Sequence, residues 1–225
     1  MVPPNVRFIS SFYQELSRGV LSFRQLGTYL LQLGEQAHAF RQFDTLREVG
    51  LFLSSFPIKQ YQPIGHYFFA VATNCNGNGD QEKARKIFET VADNAPKMYR
   101  TKAILSLAAV SANTGDYESE VYYFIEALKL STDIGTALTT LRGLAVHKAR
   151  EGYHKAALKD LDNLIPLLRY ADPFVYYDCL NSLAVELGEA GRKYEARQII
   201  KHVLASPYAF AYPEWRETAE DLRGA

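Results

Sequence analysis

Residues 74–80, read as Asn-Cys-Asn-Gly-Asn-Gly-Asp, place oxygen-bearing side chains at Asn74, Asn76 and Asn78 ahead of a glycine, as the opening of a calcium loop does. Such a loop needs carboxylates at those places and a bidentate Glu at its twelfth position, where Arg85 stands. Calcium is therefore not expected here. The histidines His38, His66, His147, His154 and His202 are scattered without metal-ligand spacing. Cys75 and Cys179 lie in apolar helical patterns, outside any nucleophile context, and are expected to be buried as small hydrophobes. The acidic pairs Glu118/Glu120 and Glu186/Glu189 are compatible with proton transfer, but such pairs are usually solvated helix faces. No Ser/His/Asp motif and no phosphate-cradling glycine loop is legible. The expectation is a chain with no catalytic residue, no metal and no cofactor: not an enzyme.

What must position these residues is a repeat. Five stretches share a Leu or Val, a small residue next to it and a Gly eight residues on from that Leu or Val, and four of them have a further small residue five beyond the Gly. They are LGTYLLQLGEQAHA (26–39), VATNCNGNGDQEKA (71–84), LAAVSANTGDYESE (107–120), LAVHKAREGYHKAA (144–157) and LAVELGEAGRKYEA (183–196). The glycines are Gly34, Gly79, Gly115, Gly152 and Gly191. Apolar residues three and four apart lie on one face of a helix, so each unit reads as a helix ending near the Gly and a second helix following it. Glycine suits that junction because it adopts a left-handed conformation at little cost. The small residues Gly27, Ala72, Ala108, Ala145 and Ala184 in the first helix, and Ala39, Ala84, Ala157 and Ala196 in the second, let antiparallel helices approach closely. A two-sided hairpin cannot bury both faces alone and stacks on its neighbours. Glu120 replaces the small residue in the third copy, where a carboxylate is costly unless paired; it either turns outward or is a binding residue.

Punctuation agrees with this reading. Asp172–Pro173 starts a helix, Asp80 and Asp116 cap second helices, and Pro96 closes one. Residues 39–63 imply an extended second helix or an inserted loop in the first copy. Residues 5–18 read as an amphipathic capping helix. Near the C-terminus, Tyr208, Phe210, Tyr212 and Trp215 lead into a helix at Pro213, as a cap or alternatively a docking patch.

GDYESEVYYFIEALKL (115–130) and GDQEKARKIFETVADNAP (79–96) most resemble the tetratricopeptide repeat, and the resemblance covers roughly residues 20–205. It implies an all-α superhelical solenoid of αα-hairpins: one domain over 1–225, with an N-terminal helix at 1–19, repeats at 20–64, 65–100, 101–137, 138–176 and 177–206, and a cap at 207–225. The units run longer than the family's 34 residues. The resemblance also implies a concave surface lined by first helices, facing Arg24, Thr28, His66, Asn76, Lys102, Asn113, Arg142, Arg150 and Asn181. On that surface an extended peptide or acidic protein segment would be held, with Arg142 and Arg150 pairing carboxylates and the Asn side chains binding peptide backbone. Arg24 and Lys102 occupy places used by family members that hold chaperone tails, but Thr28 and Ala70 replace the Asn residues of that set, so a chaperone-tail receptor is not expected.

Composition narrows the function classes. Lys+Arg and Asp+Glu number 25 each, and 48% of residues are hydrophobic. Zero net charge weighs against nucleic-acid and anionic-membrane partners, which draw on accumulated positive charge. No apolar run approaches the ~20 residues of a membrane helix, and the first residues lack the pattern of a secretion signal. The expectation is a cytoplasmic, non-catalytic scaffold or adaptor; the alternative is a regulatory repeat protein that senses a peptide or small ligand.

Overall fold

The computed structural model describes residues 14, 18–19, 22–75, 79–171 and 173–224. Its helices are α1 (Phe23–Ala39), α2 (Phe43–Ser54), α3 (Gln62–Cys75), α4 (Gln81–Asn94), α5 (Lys97–Asn113), α6 (Tyr117–Leu130), α7 (Ile134–Arg150), α8 (His154–Leu164), α9 (Pro173–Glu189), α10 (Lys193–Leu204) and α11 (Pro213–Gly224). Two short 3-10 turns, Lys59–Tyr61 and Ile165–Tyr170, precede α3 and α9. No strand occurs among the described residues, and none of the helices is long and apolar enough to cross a membrane. The expected helix at 5–18 lies almost wholly outside the described residues, as do Asn76 and Asp172.

The chain divides into two compact units, residues 1–110 and 111–225. In the N-terminal unit α1 packs on α2, α2 on α3 and α3 on α4. In the C-terminal unit α6 packs on α7, α7 on α8, α9 on α8 and α10, and α10 on α11. There α7 also touches α9, and α9 touches α11, so the first helices of successive hairpins stand side by side. The helix α11 takes the place of a further first helix. Its inner residues Trp215, Ala219 and Leu222 are buried, while Arg216, Glu217, Glu220 and Asp221 face solvent. That polar outside ends the array.

Three turns share one hydrogen-bond pattern. Gly115, Gly152 and Gly191 have φ of 74°, 86° and 76°. Each donates its N–H three residues back, and the next residue donates five back: Asp116 to Ser111, Tyr153 to Lys148, Arg192 to Leu187. This double bond satisfies carbonyls left orphaned at a helix end. The first hairpin does the same one heptad later than the glycine spacing predicts. There Gln42 donates to Ala37 and Arg41 to His38, with Arg41 at φ 50°. Gly34 is no turn residue. It is buried inside α1, where an added Cβ would lie 2.2 Å from the Phe68 ring, so it fills the small place that Ala108, Ala145 and Ala184 fill elsewhere. Gly27 performs a similar office against the Tyr61 ring. Between Ala39 and Pro63 the chain forms this late turn, α2 and a 3-10 turn rather than one extended helix.

A non-glycine residue in the left-handed region costs roughly 1–2 kcal/mol. Arg41→Gly is accordingly expected to stabilise the N-terminal unit by about 0.5–1 kcal/mol, less than the full strain because glycine also gains freedom in the unfolded chain. Urea denaturation followed by circular dichroism checks it.

The expected caps are present. Asp80 accepts from the Lys83 N–H at 2.9 Å and Asp116 from Ser119 at 3.2 Å. Ser22 and Gln25 form a reciprocal capping box, and Asp133 caps α7. Of the C-terminal aromatics, Trp215 and Tyr212 are buried and stack with centroids 4.7 Å apart, and Phe174 stacks on Tyr212 at 4.9 Å. Phe210 alone of that group is largely exposed, at 66%. Cys179 is buried and its thiol is pushed up to about 12 by burial; Cys75, expected inside, is exposed.

Candidate functional site

Counted back from their turns, the expected binding residues fall at a few fixed places along the first helices. Thr28, His66 and Lys102 lie thirteen residues before Arg41, Gly79 and Gly115; Thr139 and Asp178 stand at the same place before Gly152 and Gly191. Arg142 and Asn181 lie ten before theirs, and Asn113 and Arg150 two before. These offsets share an arc of one helix face.

Three of the four Lys and Arg residues expected on that face, Lys102, Arg142 and Arg150, already have partners within the chain. In the C-terminal unit, Arg142 Nη1 lies 2.9 Å from Asp178 Oδ2, and its Nε donates to Ser182 Oγ at 3.0 Å, joining α7 to α9. Arg150 Nη1 donates to both carboxylate oxygens of Glu120, at 3.0 and 2.8 Å, and lies over the Tyr117 ring. His147 Nδ1 stands 2.9 Å from Glu120 Oε2. Glu120 is only 2% exposed. It does not turn outward; it is buried at the crossing and held by two residues of α7. A similar pair occurs one hairpin on, where buried Glu186 of α9 meets His154 of α8 at 3.0 Å.

In the N-terminal unit, Lys102 of α5 donates to both oxygens of Glu35 on α1, at 2.8 and 2.7 Å, and the Tyr99 hydroxyl donates to Glu35 Oε1 at 2.6 Å. Burial would raise the Glu35 carboxyl, but the Lys102 charge and the bonds from Lys102 and Tyr99 outweigh it and hold it below the usual carboxylate range. Burial lowers the neighbouring His38 to about 4, with Lys102 and Arg41 adding to the effect and Glu35 opposing it. Both shifts are depressions, so both contribute stability at neutral pH that acid removes. The His38 share begins to go as the pH drops below its unfolded value of 6.5 and continues toward 4. The Glu35 share follows, starting below 4.5. The N-terminal unit is thus expected to lose stability steadily below pH 6.5. Replacing His38 by Gln should flatten the part above pH 4.5, which denaturant midpoints measured across that range will show.

The remaining expected residues are less engaged. Arg24, Thr28, His66 and Asn113 are exposed. The Thr28 hydroxyl donates to the Arg24 carbonyl at 3.0 Å and lies 3.4 Å from the Tyr61 hydroxyl. Asn76 lies outside the described residues. Asn181 is half-buried, and its Oδ1 is buried with no hydrogen-bond partner among the described residues. One helical turn further along α9 on the same side, Val185 is 38% exposed. The sequence does not reveal the acidic halves of these pairs, Glu35 and Asp178, because nothing in the spacing marks a partner one or two hairpins away. No group of three His, Cys, Asp or Glu side chains suited to a metal occurs among the described residues.

No family model and no curated protein matches the chain. Among solved structures it is similar to the nearly identical TPR-like repeats of a Podosopora anserina protein assigned as a kinesin light chain, at 14% identity and a TM-score of 0.48, over 79% of this chain and 93% of that one. A single-substitution variant of the same repeats matches at 14% identity and a TM-score of 0.49, over 84% and 96%.

Proposed function

We propose that the chain is a non-catalytic protein-interaction scaffold that holds a segment of a protein partner against the exposed face of its first helices. In the C-terminal unit that face runs over α7 and α9. Its anchors are the Asn181 carboxamide, which bonds the backbone of the segment, and Val185, which takes an apolar side chain. Arg142 and Arg150 act at the site as fixed, neutralised groups rather than as carboxylate receptors. The segment is accordingly uncharged or of mixed charge, not acidic. In the N-terminal unit the equivalent face offers Arg24 and His66, while Lys102 is held by Glu35.

The observation that carries this reading is the Asn181 Oδ1 atom. A buried acceptor without a donor costs roughly 1–3 kcal/mol, and rotation of the half-buried Asn181 carboxamide toward a segment lying on α9 would let a peptide N–H supply one. In the C-terminal unit, side-by-side first helices with paired cations and the unmet Asn181 carboxamide make a surface that binds main chain in preference to charge.

A photo-crosslinking residue placed at Val185 in the full chain tests it, against the same residue at Lys159 on the outer side of α8. In cell extract, the Val185 position is expected to capture a discrete partner that Asn181→Ala weakens and the Lys159 position does not take. Equal capture at both positions, or none at Val185, overturns the assignment.

A further inference from the structure

The outer side of α6 differs from those of the other second helices. Tyr122 and Ile125 are 57% and 43% exposed, and Leu128 beside them is 37% exposed. At the corresponding places, seven and ten residues after each turn, α2 carries Glu48 and an exposed Leu51, while α4 carries Lys86 and Glu89, α8 carries Lys159 and Asp162, and α10 carries Gln198 and Lys201, these last six all exposed. Among the described second helices α6 alone is apolar at both places, and that solvated stripe is unlike the polar outer faces of α4, α8 and α10.

The stripe is also palindromic. Glu118, Tyr122, Ile125 and Lys129 follow one another at intervals of four, three and four residues, with an acid at one end and a base at the other. All four are exposed. Glu118 makes no ion pair among the described residues, and Lys129 bonds only its own-helix neighbour Glu126, at 2.6 Å, where both side chains meet solvent. Reversing such a stripe end for end reproduces its spacing and exchanges its charges. A helix of that kind is the complement of itself run antiparallel.

We propose that α6 is a two-fold self-association surface: a second copy of this chain lays its α6 antiparallel across the first, Tyr122 against the partner's Ile125 and Glu118 against the partner's Lys129. The contact is isologous, so each pair occurs twice about the axis. A foreign helix would have to carry the same alternation of charge to do as well, whereas the chain supplies it. With one helix contributed by each copy the interface is small and the dimer weak, so its population follows concentration. The surface is separate from the α7–α9 face.

Sedimentation equilibrium of the full chain, from low micromolar to near-millimolar concentration, is the test. The mass is expected to rise from 25.4 kDa toward twice that value. Glu118→Lys and Lys129→Glu each set like charges opposite one another and should weaken the dimer about tenfold. Combined, they restore opposite charges with the polarity inverted and should recover most of the affinity. Circular dichroism confirms that these solvent-exposed changes leave the helices intact. A chain that stays monomeric throughout overturns the proposal and assigns the stripe to a different partner. A dimer indifferent to the single reversals, or a double variant no better than either, overturns the antiparallel pairing.

Discussion

Replacing Arg150 by Ala is expected to destabilise the C-terminal unit by about 3 kcal/mol, whereas Glu120→Ala, which removes the other half of the same ion pair, is expected to cost little or to stabilise. The asymmetry follows from burial. Glu120 is 2% exposed, and without Arg150 its charge keeps only His147. Stranding one member of a buried pair typically costs 3–5 kcal/mol, while replacing the pair by apolar packing is often neutral or favourable. Alanine fits the site, because Ala84, Ala157 and Ala196 fill the corresponding crossings and are fully buried. The double variant should therefore be more stable than Arg150→Ala alone. Trp215, the chain's single tryptophan and fully buried in this unit, reports the transition by fluorescence. Equal losses in both single variants would show that the carboxylate stabilises in its own right. The same asymmetry means that reversing Arg150 would test folding before it tested binding.

The second large effect lies where α2 crosses α3. A Cβ on Gly65 would stand 2.2 Å from the Ser54 backbone nitrogen and 2.7 Å from the Gly50 carbonyl oxygen. A Cβ on Gly50 would stand 2.6 Å from the Phe69 nitrogen. These obstacles are backbone and cannot rotate away as a side chain would. Overpacking costs typically 1–3 kcal/mol where side chains can give, so Gly65→Ala is expected to cost about 3 kcal/mol or more. Hydrogen exchange should show α2 and α3 losing protection while the Trp215 transition stays in place. Gly135→Ala is the control. Its nearest neighbour would be Asp133 Oδ1 at 3.4 Å, and a helical Ala in place of Gly gains roughly 0.5–1 kcal/mol. A tolerated Gly65→Ala would mean that the two helices do not meet so closely.

Helix pairing was legible in the sequence because small and large apolar residues recur at spacings that only a helix brings to one face. Ala72, Ala108, Ala145 and Ala184 are all buried where that spacing puts them. The first turn lies one heptad beyond the place the glycine spacing predicts. Seven residues make nearly two helical turns, so Gly34 sits on the same apolar face as a true turn glycine would, and the actual turn residue is an arginine with φ 50°. Nothing in residue type marks Arg41 for that task. Measured from it, the turns at Gly79, Gly115, Gly152 and Gly191 follow at 38, 36, 37 and 39 residues, and the long first interval disappears. The polar face was legible as residue types but not as pairs. Asp178 reaches Arg142 from the next first helix, and Glu35 reaches Lys102 from a helix 67 residues away. Such partners depend on how hairpins stack, which periodicity along one helix does not specify. Asn181 was legible as a polar residue of the first-helix face; its unmet oxygen appears only once its neighbours are in place.

In the proposed function Lys102, Arg142 and Arg150 serve the fold, and the partner is held by uncharged groups. Salt distinguishes the two cases, because exposed charge–charge attraction is largely screened once the Debye length falls to a few ångströms, as it does near 1 M. The direct measurement is the affinity of the full chain for the segment captured at Val185, taken at low salt and again near 1 M sodium chloride. The predicted result is a dissociation constant that changes less than about threefold. A loss of about a hundredfold, relieved when acidic residues of the segment are neutralised, would contradict it and return Arg142 and Arg150 to the role of carboxylate receptors.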